Sequence, residues 1–172
     1  MDFSFKNIDI AYSQIQNNVI RTPLVSSEYI NKELRSNIFF KLENLQITGS
    51  FKFRGAFFKI SLLTNEEKSR GVVAYSSGNH AQAVAYASNI LGINAKIVMP
   101  KNAPLIKIDN TKKYGAEIVL YDPISENREK IGEEIAKIEK RILIKPYDDE
   151  NIIAGQGTSG KEIVEELINL GE

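Results

Sequence analysis

Short runs of β-branched and aromatic residues alternate along the chain with longer stretches whose apolar positions recur at helical spacing. The runs NIFFKLE, GVVAYSS, AKIVMP, AEIVLYD and RILIKP predict strands. Three joints repeat one device, in which a helix ends, a glycine follows and a strand begins: Arg70-Gly71-Val72, Leu91-Gly92-Ile93 and Tyr114-Gly115-Ala116. Glycine accepts the left-handed conformation that closes a helix, and Lys68, Arg70, Lys112 and Lys113 stand where cations complement the helix dipole. Gly71, Gly92 and Gly115 are 21 and 23 residues apart, the length of one βα unit. Right-handed crossovers then place these strands in one parallel sheet, giving a three-layer α/β fold with helices on both faces across residues 72–144.

Two other stretches carry element signals. In YDPISENREKIGEEIAKIEK, the residues Ile124, Ile131, Ile135 and Ile138 predict the buried stripe of a helix starting near Ser125. Arg128 falls on that stripe and should point toward the body of the protein. IIAGQGTSGKEIVEEL reads as a flexible Gly155-Gln156-Gly157 turn, then a helix opened by a capping box of Ser159 and Glu162.

The length of 172 residues allows one large domain or two small ones, able to bury roughly 70% of the unfolded surface. Lys and Arg total 22 against 22 Asp and Glu, so no global field draws the chain to nucleic acid or an anionic membrane. With no cysteine and one histidine, disulfides, thiolate chemistry and Cys- or His-rich metal sites drop out. A reducing, cytoplasmic setting fits. MDFSFKNIDI lacks the pattern of a secretory signal, and no stretch approaches the roughly 18 apolar residues that span a bilayer.

In such sheets ligands sit beyond the carboxyl ends of the strands. The most unusual strand-to-helix loop is YSSGNHAQAVAYAS, where a strand ends at Tyr75 and a small-residue helix begins near His80. A helix start offers unpaired N–H groups and partial positive charge to a carboxylate or phosphate. Ser76, Ser77 and Asn79 add side-chain donors; one of them as an N-cap is the simpler alternative, but four polar residues exceed what a cap requires. His80 alone also reads as a first-turn surface or packing residue. Arg128 fits either an ion pair with an acid or a clamp on a substrate carboxylate. In TGSFKFRGA, Lys52 lies among Phe51, Phe53, Phe57 and Phe58. It either snorkels to water or is a desolvated amine fit to act as nucleophile or base.

GSFKFRGA, SSGNHAQAVAYAS, YDPISENREK and IIAGQGT, in this order and at these separations, resemble the serine/threonine dehydratase family. These are pyridoxal-phosphate enzymes of fold type II that include threonine ammonia-lyases, serine ammonia-lyases and serine racemases. RTPL and FFKLENLQITGSFKFRGA extend the likeness almost to the N-terminus. Cysteine synthases share the fold but favour a TSGNTG loop, which is absent here.

The resemblance implies pyridoxal 5'-phosphate as cofactor and a small amino acid as substrate. It implies that Lys52 holds the cofactor through its amine, with Phe51 against the ring and Asn79 bonded to the cofactor's phenolic oxygen. Ser76, Ser77, Asn79 and His80 then belong to the loop that takes the substrate carboxylate, and Arg128 contributes to that pocket. Tyr147 stands where the family usually has phenylalanine or asparagine, and Lys145 where many members have histidine. Lys52 would remove the α-proton, and loss of the β-hydroxyl would yield a 2-oxo acid and ammonia. Ser77 is similar to the proton donor on the opposite face in racemases, so serine racemase stays open beside hydroxyaspartate ammonia-lyase.

The family's lengths imply a fragment, since no glycine-rich phosphate loop such as GGGG occurs. Residues 1–53 would be the N-terminal part of the large domain, 54–150 the small domain, and 151–172 the start of the remaining large domain. The isolated chain is then expected to be a poor catalyst, and a silent binding or assembly domain is the alternative of another class. Apolar surface before residue 50 is expected to invite self-association into a homo-oligomer.

Overall fold

The computed structural model describes residues 3–171. Four parallel strands form its centre: β3 (Val72–Tyr75), β4 (Ala95–Pro100), β5 (Glu117–Tyr121) and β6 (Ile142–Leu143), in the order β5-β4-β3-β6. The strands alternate their side chains between two apolar layers, as a pleat requires. Val72, Ala74, Ile97 and Met99 face the layer that holds α5 (Asn79–Ile90) and α6 (Leu105–Lys113). Val73, Tyr75, Val98 and Tyr121 face α7 (Arg128–Ile138), meeting Ile131 and Ile135. Both faces are covered, so the expected three-layer parallel fold stands. The helix-ending glycines behave as their positions require, with φ of 80° at Gly71, 68° at Gly92 and 90° at Gly115.

The run NIFFKLE lies outside this sheet. Its strand β2 (Phe39–Lys41) pairs antiparallel with β1 (Leu24–Ser26), in a separate two-stranded sheet bracketing α2 (Glu28–Leu34). The helix α7 begins at Arg128 rather than near Ser125, because the Asn127 side chain caps it by accepting from the N–H groups of Glu129 and Lys130. Ile124 and Ile138 are 94% and 79% exposed, so the buried stripe is limited to Ile131 and Ile135 with Ala136. Before residue 50, Phe5, Ile10, Tyr29, Leu34 and Leu45 are exposed apolar side chains, as expected.

The largest departure is α8, one uninterrupted helix over Glu150–Leu170. Asp149 caps it by accepting from Asn151 and Ile152, and the Gly155-Gln156-Gly157 segment is helix interior. The glycines serve packing instead of a turn. A Cβ on Gly155 would come within 2.7 Å of the Gly55 Cα, and one on Gly55 within 2.8 Å of the Ile152 carbonyl. The helix α3 (Lys52–Ser61) thus crosses α8 with backbones in direct contact, while α1 (Phe5–Ile15) lies along the other flank of α8, its Ile8 against Gly157. Ser159 is no N-cap either; its hydroxyl donates to the Gln156 carbonyl.

Glu162 has a different task from capping. It faces Arg54, the largest fully buried side chain, which bonds both Glu162 oxygens at 2.8 and 2.9 Å and both Glu43 oxygens at 2.9 and 2.8 Å. The carbonyl of Ile20 accepts a further N–H, Thr22 donates to Glu43, and Lys41 bridges Glu162 and Glu166. Burial works against the Arg54 charge, but hydrogen bonds to Glu43 and Glu162 outweigh it and hold the guanidinium protonated. Removing one carboxylate would leave a buried cation undercompensated. Glu162→Ala is expected to cost roughly 3–5 kcal/mol, read as a fall in the urea midpoint without a change in the far-ultraviolet spectrum of the folded chain.

Candidate active site

Lys52 opens α3 at the end of the Thr48-Gly49-Ser50 turn, where both Thr48 and Gly49 have positive φ. Phe53, Phe57 and Phe58 turn into the core, and Phe51 remains beside the amine, its ring centre 5.3 Å from Nζ. Lys52 is half-buried, and Nζ donates to the carbonyl of Pro146 at 2.8 Å. Desolvation lowers its pKa below that of an ordinary lysine. Of the two readings of this residue, the structure favours the desolvated amine over a side chain reaching for water.

The loop after β3 delivers the second component. The Ser76 N–H extends the ladder to Val98, and its hydroxyl accepts from the Gly78 N–H at 3.2 Å, folding the turn onto itself. The helix α5 starts at Asn79 with no side-chain cap, so its first-turn N–H groups are left for another partner. Ser77 is half-buried and Asn79 exposed at this helix start. Lys107 of α6 comes close to it, its Nζ 3.7 Å from where a Gly78 Cβ would stand.

His80 turns inward instead of toward this loop. Its ring is 3% exposed, and Nε2 lies 3.0 Å from the carbonyl of Ile144, just beyond β6. A carbonyl only accepts, so the proton is on Nε2. Burial first, against the Ile144 bond and with help from the nearby Lys52 charge, pushes the ring pKa down to about 4. Any part of His80 in anion binding therefore falls to its backbone N–H. Arg128 stands on the α7 side of the sheet, its guanidinium carbon 5.9 Å from the centre of the Tyr75 ring. The contact is cation–π; of the two readings of this residue, an ion pair with an acid or a clamp on a substrate carboxylate, the first is not seen among the described residues. Tyr147 reaches Glu129 at 3.4 Å, and burial, then the Glu129 charge, raises the Tyr75 pKa.

The structure therefore gathers Lys52, the Ser76–Asn79 loop and the buried His80 around the segment Ile144–Pro146 at the carboxyl edge of the sheet. Sequence reasoning marked Lys145 and Tyr147 here but missed the contribution of the Ile144 and Pro146 backbone carbonyls, which carry no residue signature. Two surface depressions, one lined by Arg21, Glu165 and Glu166 and the other by Ile10, Phe58 and Leu62, are built from other residues. Among the described residues no His, Asp or Glu cluster suits a metal ion, and no helix is long and apolar enough to cross a membrane.

The parallel α/β sheet thus carries at its carboxyl edge a desolvated lysine amine and an uncapped helix start, groups whose chemistry suits an aldehyde and an anion. The chain belongs to the pyridoxal-phosphate dependent enzymes, whose family model matches residues 15–170. It is 47% identical over 157 residues to the L-threo-3-hydroxyaspartate ammonia-lyase of Saccharomyces cerevisiae, covering 91% of this chain and 48% of that protein. It is 45% identical over 168 residues to the catabolic L-threonine dehydratase of Staphylococcus aureus, covering 97% of this chain and 49% of that protein. Maize serine racemase superposes with a TM-score of 0.91 at 41% identity, covering 95% of this chain and 50% of that one. The chain thus spans about half the length of the relatives it matches.

The residues present fit the family's cofactor. An amine attacks an aldehyde only when neutral, which is the form desolvation favours at Lys52. Ser50, two residues earlier in the chain, keeps a buried hydroxyl with no partner.

The site also sets a pH dependence of stability. His80 binds a proton at 6.5 when unfolded but only near 4 when folded, so between these values the unfolded chain holds more protons. Its contribution is complete above pH 6.5 and is lost as pH falls toward 4, by about 3 kcal/mol in all. Asp149, whose folded pKa lies below 3.8, loses its contribution only at lower pH. Urea unfolding at pH 7 and pH 5 should show a drop in stability that His80→Gln, which cannot titrate, removes.

Proposed function

We propose that this chain carries the N-terminal part of a pyridoxal-phosphate dependent ammonia-lyase acting on L-threonine or L-serine, with 3-hydroxyaspartate as the related alternative. The desolvated Lys52 amine at the sheet's carboxyl edge carries this reading. When bound, the cofactor supplies an electron sink for the electrons left when the substrate's α-proton departs. Lys52 holds the cofactor and takes that proton; Phe51 offers an apolar plane next to the amine, and Asn79 a polar partner for the cofactor. The uncapped start of α5, with Ser76, Ser77 and the His80 N–H, takes the substrate carboxylate. Arg128 lies at the rim as a second cation for the substrate. Residues 54–150 are read as the small domain around this site, between parts of a larger one at 1–53 and 151–172. The threonine dehydratase and hydroxyaspartate ammonia-lyase relatives support elimination, because their substrates share a β-hydroxyl.

A serine racemase is the second reading. In this reading Ser77, half-buried at the helix start, holds the proton on the other side of the substrate from Lys52. The maize serine racemase neighbour agrees with it.

Incubation with pyridoxal phosphate followed by borohydride reduction is expected to modify Lys52 selectively in a peptide map, and Lys52→Ala to abolish the label. Label spread over the exposed lysines would favour a silent binding or assembly domain. In a full-length chain, Ser77→Ala should lower serine racemisation by about 10²-fold or more, the scale of a lost general acid, while elimination persists through Lys52. Equal loss of both activities would refute the assignment of Ser77 to the opposite face.

A further inference from the structure

The segment following β6 presents two backbone carbonyls, two residues apart, to the two nitrogens at the heart of the site. The Ile144 carbonyl accepts from His80 Nε2 at 3.0 Å, and the Pro146 carbonyl accepts from Lys52 Nζ at 2.8 Å. Ile144 is fully buried and its own N–H donates to the Val73 carbonyl at 2.8 Å, so β3 holds one side of this residue and α5 the other. His80 makes its bond at a cost: with the proton on Nε2, Nδ1 is a bare lone pair, buried without a partner. A residue that merely filled space here would not need an imidazole.

We propose that His80 is a positioning residue for Lys52: it fixes the plane of the Ile144 carbonyl, and with it the place where the Pro146 carbonyl meets the Lys52 amine. This rests on reading Lys52 as the reacting amine. The His80 side chain acts through the backbone of this segment and touches no substrate. Loosening the strap would let water reach the amine from the His80 side and would remove the carbonyl that orients it. The titratable and charged groups around the strap are His80 on α5, Tyr75 at the end of β3, and Arg128 and Glu129 at the start of α7. Glu133 further along α7, Lys107 of α6 beside Gly78 and the segment's own Lys145 and Tyr147 add to these.

The test reads the ionisation of Lys52 without cofactor, by competitive acetylation across pH and quantification of the Lys52 peptide. His80→Ala is expected to move the Lys52 midpoint up toward an ordinary lysine and to reduce its labelling at neutral pH severalfold. His80→Gln, whose amide N–H can still donate to Ile144, should retain the original midpoint. An unmoved midpoint in His80→Ala, or a Gln variant that folds and shifts as far as Ala, overturns the proposal. Side-chain ¹⁵N spectra of the unaltered chain give a check that needs no variant. They should show a single Nε2–H tautomer well below the ordinary histidine pKa of 6.5, and an Nδ1–H or averaged ring overturns it. Because no cofactor is present, a failure here and a failure of the borohydride labelling are separate results.

Discussion

The buried guanidinium of Arg54 is the constraint on which the arrangement depends. It satisfies Glu43 and Glu162 together, two carboxylates 11 residues before it and 108 after it. A charge with no access to water has no substitute partners, so the N-terminal segment, α3 and α8 must meet at this point or not fold together. Gly55 and Gly155 let them meet, since any side chain at either position would strike the opposing backbone. Lys52 lies on the same first turn of α3, two residues before Arg54. The electrostatic clasp on one side of the helix therefore fixes the Lys52 amine on another.

How much could be read from the chain follows from the range of each signal. The parallel sheet and its glycine joints were legible because each is local: a β-branched run, a helix end, and a residue able to adopt positive φ at Gly71, Gly92 and Gly115. The Gly155-Gln156-Gly157 segment misled for the complementary reason. Its local propensity favours a turn, but contacts with α3 and α1 select glycine for closeness, and packing overrides propensity. Arg54 sat inside the most informative motif, yet its partners Glu43 and Glu162 stand 11 and 108 residues away, beyond the reach of any local pattern. Ile124 continued a helical pattern past the Asn127 cap that ends it.

The site was legible in its residues more than in its connections. The strand-to-helix pattern put the Ser76–Asn79 loop at the carboxyl edge of the sheet, where topology alone predicts a ligand, and the fold brings the Lys52 amine to the same edge through the Pro146 carbonyl. Arg128 lies on the Tyr75 face, a contact neither of its two readings foresaw, and the His80 side chain turned away from the loop. Both differences arise because a side chain's direction depends on what packs over it. Gly132 illustrates this: a Cβ there would press within 2.9 Å of the Tyr75 ring, so its absence lets α7 lie close over that residue.

Burial gives Lys52 and His80 the same bias with different consequences. Both are held toward their neutral forms, and the nearby Lys52 charge adds to the cost of protonating His80. A depressed pKa brings the loss of the Lys52 proton toward neutral pH. His80 must not change, because a second cation close to Lys52 would alter the amine's own equilibrium. A folded-state pKa near 4 keeps His80 a constant neutral donor to Ile144 throughout the range in which Lys52 exchanges its proton.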